Sequence, residues 1–196
     1  MAKTTEEYTV KRSVPDQVVG SFDANGIIMF DSNFTNETVR PVIEFIMKKN
    51  LLPERLRPEY ITLVVNSPGG NMNSAFALID IMKGSAVPVH TIGLGLIASC
   101  GLLTFMAGEK GSRTLTPNTS ILSHQWSWGS YGKQHELFAA VKEFDLTSKR
   151  MMDLYKSCTG LSESKIKEVL LPAEDVWLSA EEAVKHGIAD AIKAMY

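Results

Sequence analysis

The sequence predicts an α/β fold in which helices pack on a largely parallel sheet. Three observations carry this. Short β-branched or apolar runs at residues 26–31, 60–65, 87–93 and 120–124 alternate with stretches whose apolar residues recur at helical spacing. That strand–helix alternation is what helices packed on a parallel sheet require. And 196 residues, 44% hydrophobic and 21% charged, form one domain able to bury roughly 70% of its unfolded surface.

Residues 1–25 have little periodicity and contain Pro15, Asp23 and Asn25. They read as a flexible arm with one short strand at 8–14, ahead of a single domain over 26–196. Gly26, Ile27, Ile28, Met29, Phe30 and Asp31 form a buried strand. Val39, Val42, Ile43, Ile46 and Met47 then mark a helix. Pro41 is tolerated there if Thr38 is the N-cap, because the first-turn N–H groups have no intrahelical acceptor. Residues 51–59, with Pro53 and Pro58, form a loop. A second strand at 60–65 runs into a turn at Gly69 and Gly70. Phe76, Leu78, Ile79 and Met82 lie on a helix ending near Gly84, and 87–93 is a third strand.

Residues 99–107 are apolar throughout and predict a buried helix; short strands follow at 111–114 and 120–124. Between Lys133 and Cys158, apolar positions from Leu137 to Tyr155 define one helix of about seven turns. That length exceeds what a compact domain of this size uses, so the helix is expected to protrude and pack on a neighbour. Ser179 and Glu182 form a capping box, and Gly187 suits the stop that follows.

A net charge of −2 gives no case for nucleic acid or a membrane surface as partner. Cys100 and Cys158 are too few for a disulfide framework or a four-cysteine zinc site. His90, His124, His135 and His186 lack metal-ligand spacing, so neither metal nor cofactor is expected. The polar N-terminus lacks a secretory core, and no apolar stretch reaches membrane-spanning length. The chain therefore reads as cytoplasmic.

The chemistry concentrates in four places. Ser99 lies in Gly95, Leu96, Ile97, Ala98, Ser99, Cys100, Gly101, between a strand and the buried helix. His124 ends a strand, and Asp175 precedes Val176, Trp177 and Leu178. Upstream stands Asn66, Ser67, Pro68, Gly69, Gly70. A serine hydroxyl needs a base within reach, and the base needs an orienting group. Ser99 at a helix start adds free backbone N–H groups, and those of Cys100 and Gly70 can make an oxyanion hole. Taken singly, each residue has a plainer reading. A serine before a helix is more often a cap, and paired glycines are a turn. The order Ser, His, Asp matches none of the three well-known serine-hydrolase orders.

At these residues the chain resembles the Clp protease proteolytic subunit family, ClpP, from about Gly26 to Ile192. The resemblance rests on Asn66 to Gly70, on Ala98, Ser99 and Gly101, and on Pro117, Asn118, His124 and Gln125. It rests also on Asp175, Trp177, Leu178, Ser179, Ala180, Glu182, Ala183, Val184, Gly187 and Asp190. It implies a spiral of ββα units, shared with crotonases. It implies Ser99 as nucleophile, His124 as base, Asp175 as orienting group and an oxyanion hole from Gly70 and Cys100. It makes residues 129–158 a handle that interdigitates two heptameric rings into a barrel. Polypeptide substrate is expected as an added strand between the segment after Gly70 (Gly69, Asn71 and Met72 nearby) and the one at Gln125 and Trp126. An AAA+ unfoldase would feed the chamber.

Trp126 stands where the family commonly has proline, and Trp128 follows. The pair either shapes the peptide groove or packs at the handle base. Glu174 replaces the arginine that many members carry beside the aspartate, and residues 1–25 match the family's N-terminal segment poorly. The expected function is serine endopeptidase. The alternatives are a weakly active or inactive structural subunit of a mixed ring, and a crotonase-like acyl-CoA enzyme.

Overall fold

The structure is a computed structural model that describes residues 19–194. The strand expected at 8–14, and most of the N-terminal arm, lie outside the described residues. The last part of that arm is a helix, α1 (Val19–Ala24). It leads through Gly26 into β1 (Ile27–Phe30), which pairs with β2 (Ile61–Ser67). β2 pairs in parallel with β3 (Val89–Ala98). β3 is longer than the sequence suggests because it serves two neighbours. Residues 91–93 pair with β4 (Arg113–Leu115), and 96–98 pair with β5 (Ser120–Ser123), both in parallel. β7 (Ala191–Ile192) adds in parallel to β4, and β6 (Val176–Leu178) pairs antiparallel with β5. The expectation of a mixed α/β fold with a largely parallel sheet holds.

α2 (Asn36–Leu51) starts one turn element earlier than expected. Thr35, not Thr38, is the N-cap: its side chain accepts from the Thr38 N–H, and Thr38 Oγ1 accepts from the Thr35 N–H. Pro41 therefore sits inside the helix and deprives the Glu37 carbonyl of its partner. Both residues are exposed, so water can serve that carbonyl. The buried side is Val39, Val42 and Ile46, facing β1 and α3 (Met72–Lys83). The 51–59 loop contains a single 3-10 turn, Glu54–Leu56.

All seven residues of α4 (Cys100–Met106) are buried, as a run apolar at every position but Thr104 demands. α5 (Gln134–Thr159) has two unlike halves. No residue from 134 to 146 is buried, whereas Thr147, Met151, Leu154, Tyr155 and Cys158 are. At about 1.5 Å per residue its 26 residues span about 39 Å, and the first half projects from the body of the protomer. α6 (Glu163–Val169) is short and mostly charged; only Ile166 is buried, which is why periodicity missed it. α7 (Ala180–Lys185) has the expected capping box between Ser179 and Glu182, and Gly187 follows at φ 73°.

One buried ion pair closes the far edge of the sheet. Arg113, 2% exposed, donates from Nε to Asp190 Oδ2 (2.8 Å), from Nη2 to Asp190 Oδ1 (2.6 Å) and from Nη1 to the Cys158 carbonyl (3.1 Å). Asp190 Oδ2 also accepts from the N–H groups of Gly111 and Arg113. Burial pushes the Asp190 carboxyl up, but the guanidinium and these N–H groups outweigh it and hold it below its ordinary value. β4, β7 and the end of α5 are thereby fixed to one another.

Candidate active site

Strand register brings the three sequence-distant residues together. β5 lies beside the end of β3 with Ala98 opposite Leu122, and the Ser99 N–H donates to the Leu122 carbonyl at 3.1 Å. β6 lies on the other side of β5 with Val176 opposite Ser123. Ser99 leaves the end of β3, His124 leaves the end of β5 and Asp175 enters β6 in the position opposite His124, so the three come to one edge of the sheet. Ser99 and His124 follow the carboxyl ends of parallel strands, where open α/β sheets place their sites. β6 runs the other way, so Asp175, which precedes it, arrives at the same edge.

Ser99 links β3 to α4 with φ 54° and ψ −121°, the one positive φ among the described non-glycine residues. That conformation is costly for an L-residue and persists where the surroundings over-determine it. Its carbonyl begins α4 by accepting from Leu103 N–H. Ser99 and His124 share one small cavity with Met72, Leu103, Trp126 and Tyr155. Asp175 Oδ1 stands 3.9 Å from His124 Nδ1; the side chains are 64% and 22% exposed. This separation suits an ion pair with a protonated imidazole but exceeds a hydrogen bond. Among the described residues no hydrogen bond joins Ser99 Oγ to His124, so in the single protomer Ser99, His124 and Asp175 are gathered but not joined.

The Gly69–Gly70 turn is fixed by what stands against it. Gly69 has φ 105°, and a Cβ there would lie 2.6 Å from Ser99 Cβ; Gly70 has φ 144°, and its Cβ would lie 2.6 Å from the Phe34 N and O atoms. Neither position accepts a side chain. Phe34 N–H donates to the Gly69 carbonyl (2.8 Å) and Asn71 N–H donates to the Phe34 carbonyl (2.9 Å). The Gly70 N–H takes no part in this bridge. The Cys100 N–H is the first of α4 and has no acceptor within the helix.

The Cys100 thiol, buried against Gly70 and Met72, donates to the Gly70 carbonyl at 3.2 Å. Burial pushes it up to about 11, so it stays a thiol at neutral pH.

The residues expected to touch substrate also have structural work. Asn71 caps α3, accepting from Ser74 N–H at 3.0 Å. Gln125 Nε2 donates to the carbonyls of Leu171 (3.1 Å) and Pro172 (3.0 Å). Trp126 donates to Ser148 Oγ (3.1 Å) and stacks on Phe144 at 5.1 Å, and Trp128 meets the same ring at 5.3 Å. Both tryptophans thus pack at the base of α5. Trp126 also lines the cavity at Ser99 and His124 and an open groove of about 800 Å³ bounded by Gln125, Phe144, Met152 and Leu171.

Tyr155 is the site residue that sequence reasoning missed. It reaches the cavity at Ser99 and His124 from α5, and its hydroxyl meets Ser123 Oγ at 2.7 Å. A tyrosine on an otherwise apolar helix stripe was the available signal, since a buried phenol needs a partner.

The sequence profile of the Clp protease family matches residues 11–195. The chain is 34% identical over 148 residues to the ATP-dependent Clp protease proteolytic subunit of Deinococcus radiodurans, covering 75% of this chain and 72% of that protein. It is 36% identical over 134 residues to ATP-dependent Clp protease proteolytic subunit 1 of Chlamydia abortus, covering 67% of this chain and 69% of that one.

Proposed function

Because the chain belongs to the Clp protease family, and is by that membership a peptidase, we propose that it is a serine endopeptidase whose triad is Ser99, His124 and Asp175. The observation that carries this reading is the meeting of the ends of β3, β5 and β6 beside the two-glycine turn, where Ser99 and His124 line one cavity and Asp175 stands 3.9 Å from His124. Ser99 Oγ attacks the peptide carbonyl carbon while His124 accepts its proton. The oxyanion takes hydrogen bonds from the N–H groups of Gly70 and Cys100, neither of which serves the Phe34 bridge or the α4 ladder. His124 then returns the proton to the leaving amine, and water hydrolyses the acyl-enzyme by the same steps in reverse. Asp175 holds the imidazole tautomer and balances its charge.

Substrate backbone adds as a strand between residues 69–72 and residues 125–126, with Trp126 closing one end of the groove. The projecting half of α5 exposes Leu137, Phe138 and Val141. This supports heptameric rings stacked in pairs, with α5 as the handle between them. The relatives' names include "ATP-dependent", which supports an AAA+ unfoldase as partner. Unfolded polypeptides in the cytoplasm are the proposed substrates. The unclosed triad favours a second reading, in which the chain is a weakly active member of a mixed ring.

A serine-directed fluorophosphonate separates the two. One adduct per chain, mapped to Ser99 and lost in Ser99→Ala with assembly intact, supports the peptidase. An assembled ring that stays unlabelled and cleaves no peptide overturns it in favour of the structural subunit.

A further inference from the structure

Residues that flank His124, and one residue of α5, are bonded into the chain that leads to Asp175. Ser123 is fully buried, and its Oγ donates to the Leu170 carbonyl at 2.6 Å. With its proton used there, the 2.7 Å contact to Tyr155 must have the phenol as donor and Ser123 Oγ as acceptor. On the other side of His124, Gln125 donates to the carbonyls of Leu171 and Pro172. Three consecutive carbonyls, 170 to 172, are thus held by the two neighbours of the proposed base. Asp175 follows three residues after Pro172, before β6 begins. Tyr155, 2% exposed on the buried half of α5, holds the near end of this clamp.

We propose that Tyr155, Ser123 and Gln125 are positioning residues which set the His124–Asp175 geometry, and that Tyr155 makes this geometry answer to the seating of α5. The inference rests on the serine-peptidase reading above. No atom of Tyr155 need touch substrate. A shift of α5 that draws its hydroxyl away from Ser123 frees Ser123 from one of its two partners. The Leu170 carbonyl, and with it the chain leading to Asp175, is then held less firmly. Displacement of a catalytic group by about 1 Å can cost about a hundredfold in rate, so a clamp of this kind controls activity without being part of the chemistry. Burial keeps the phenol well above its ordinary pKa, so it remains a hydrogen-bond donor at any working pH.

Tyr155→Phe removes one oxygen and Ser123→Ala removes one hydroxyl. Neither changes the apolar packing, and both are assayed in the full chain, singly and together. The readouts are the rate of fluorophosphonate labelling of Ser99, kcat and KM on an unstructured peptide, and the melting temperature. The expected result is a fall of roughly tenfold in labelling rate and kcat at unchanged KM, with the double variant no worse than Ser123→Ala alone, as in a shared pathway. Wild-type labelling and kcat in both single variants overturn the clamp. A loss of melting temperature that accounts for the loss of activity, with KM and kcat changing together, also overturns it, because the network is then only structural. If the wild-type chain itself never labels, the serine-peptidase reading falls, and the clamp falls with it.

Discussion

Ser99 and Asp175 flank the same imidazole, yet the structure holds them in unlike ways. Ser99 is pinned from every side. Its N–H is bonded to Leu122, its carbonyl starts α4, Gly69 presses against its Cβ position, and its own φ is positive. Asp175 is largely exposed, stands 3.9 Å from His124, and lies between a segment bonded at carbonyls 170–172 and the first residue of β6. The Ser99 end is fixed by covalent geometry and close packing within one protomer. Among the described residues the Asp175 end has no bond of its own beyond that contact, and the segment before it is held in part by side-chain hydrogen bonds from residues beside His124. A site with one rigid end and one adjustable end can be assembled early and completed late.

The largest effect expected is at the adjustable end. Asp175→Asn keeps the shape of the side chain but removes the charge that selects the imidazole tautomer, and kcat should fall roughly a hundredfold to ten-thousandfold. Steady-state peptide hydrolysis checks this, with an unchanged melting temperature as control. A fall smaller than tenfold would mean that the carboxylate is not used in the resting protein.

The rigid end breaks differently. Gly69→Ala forces a Cβ to within 2.6 Å of Ser99 Cβ at φ 105°. The expected result is loss of fluorophosphonate labelling together with about 1–3 kcal/mol of stability. Labelling and denaturant unfolding, measured on the same preparation, should therefore fall together here, whereas Asp175→Asn should separate them.

Away from the site, Asp190→Asn leaves Arg113 buried without its anion, at a cost of about 3 kcal/mol. The Asp190 carboxyl has a lowered folded pKa, so its contribution is complete above the unfolded value of about 3.9 and disappears as pH falls through the lower, folded one. Urea unfolding of the wild type should weaken across that acid window, and the variant should show a flatter profile there.

The smallest effect on folding is expected on the projecting half of α5. Phe138→Ser removes a side chain that is 67% exposed, so stability should change by less than about 0.5 kcal/mol. On the proposed ring assembly, native mass spectrometry should nevertheless show loosened pairing between rings, because Leu137, Phe138 and Val141 stand exposed among the described residues.

Much of this was legible in the chain. Continuous apolar runs gave the buried parallel strands, the 100–106 segment, apolar but for Thr104, gave a buried helix, and Ser179 with Glu182 gave a helix start, because each of these depends on local periodicity or local hydrogen bonding. Ser99, Gly69 and Gly70 were legible for a similar reason: a serine at a strand–helix junction and paired glycines at a strand end are local signals. The Thr35 cap was misplaced by three residues, since either threonine can cap and only the path of the chain from Phe34 chooses between them. α6 escaped because a seven-residue helix with one buried residue has no stripe to detect.

The sequence by itself determined the class of fold, the buried elements and the residue types available for chemistry, since these follow from side-chain polarity and backbone preference along a few adjacent residues. Tertiary structure alone decided the rest. The order of β3, β5 and β6 brought the strand ends carrying Ser99, His124 and Asp175 to one edge, and packing of α5 brought Tyr155 to Ser123 across 32 positions of chain. The Trp126 indole, equally suited to groove or handle, does both: it packs on Ser148 and Phe144 of α5 while lining the groove and the cavity at Ser99. Contacts between residues far apart in sequence depend on which elements pack together, and no window of neighbouring residues contains that information.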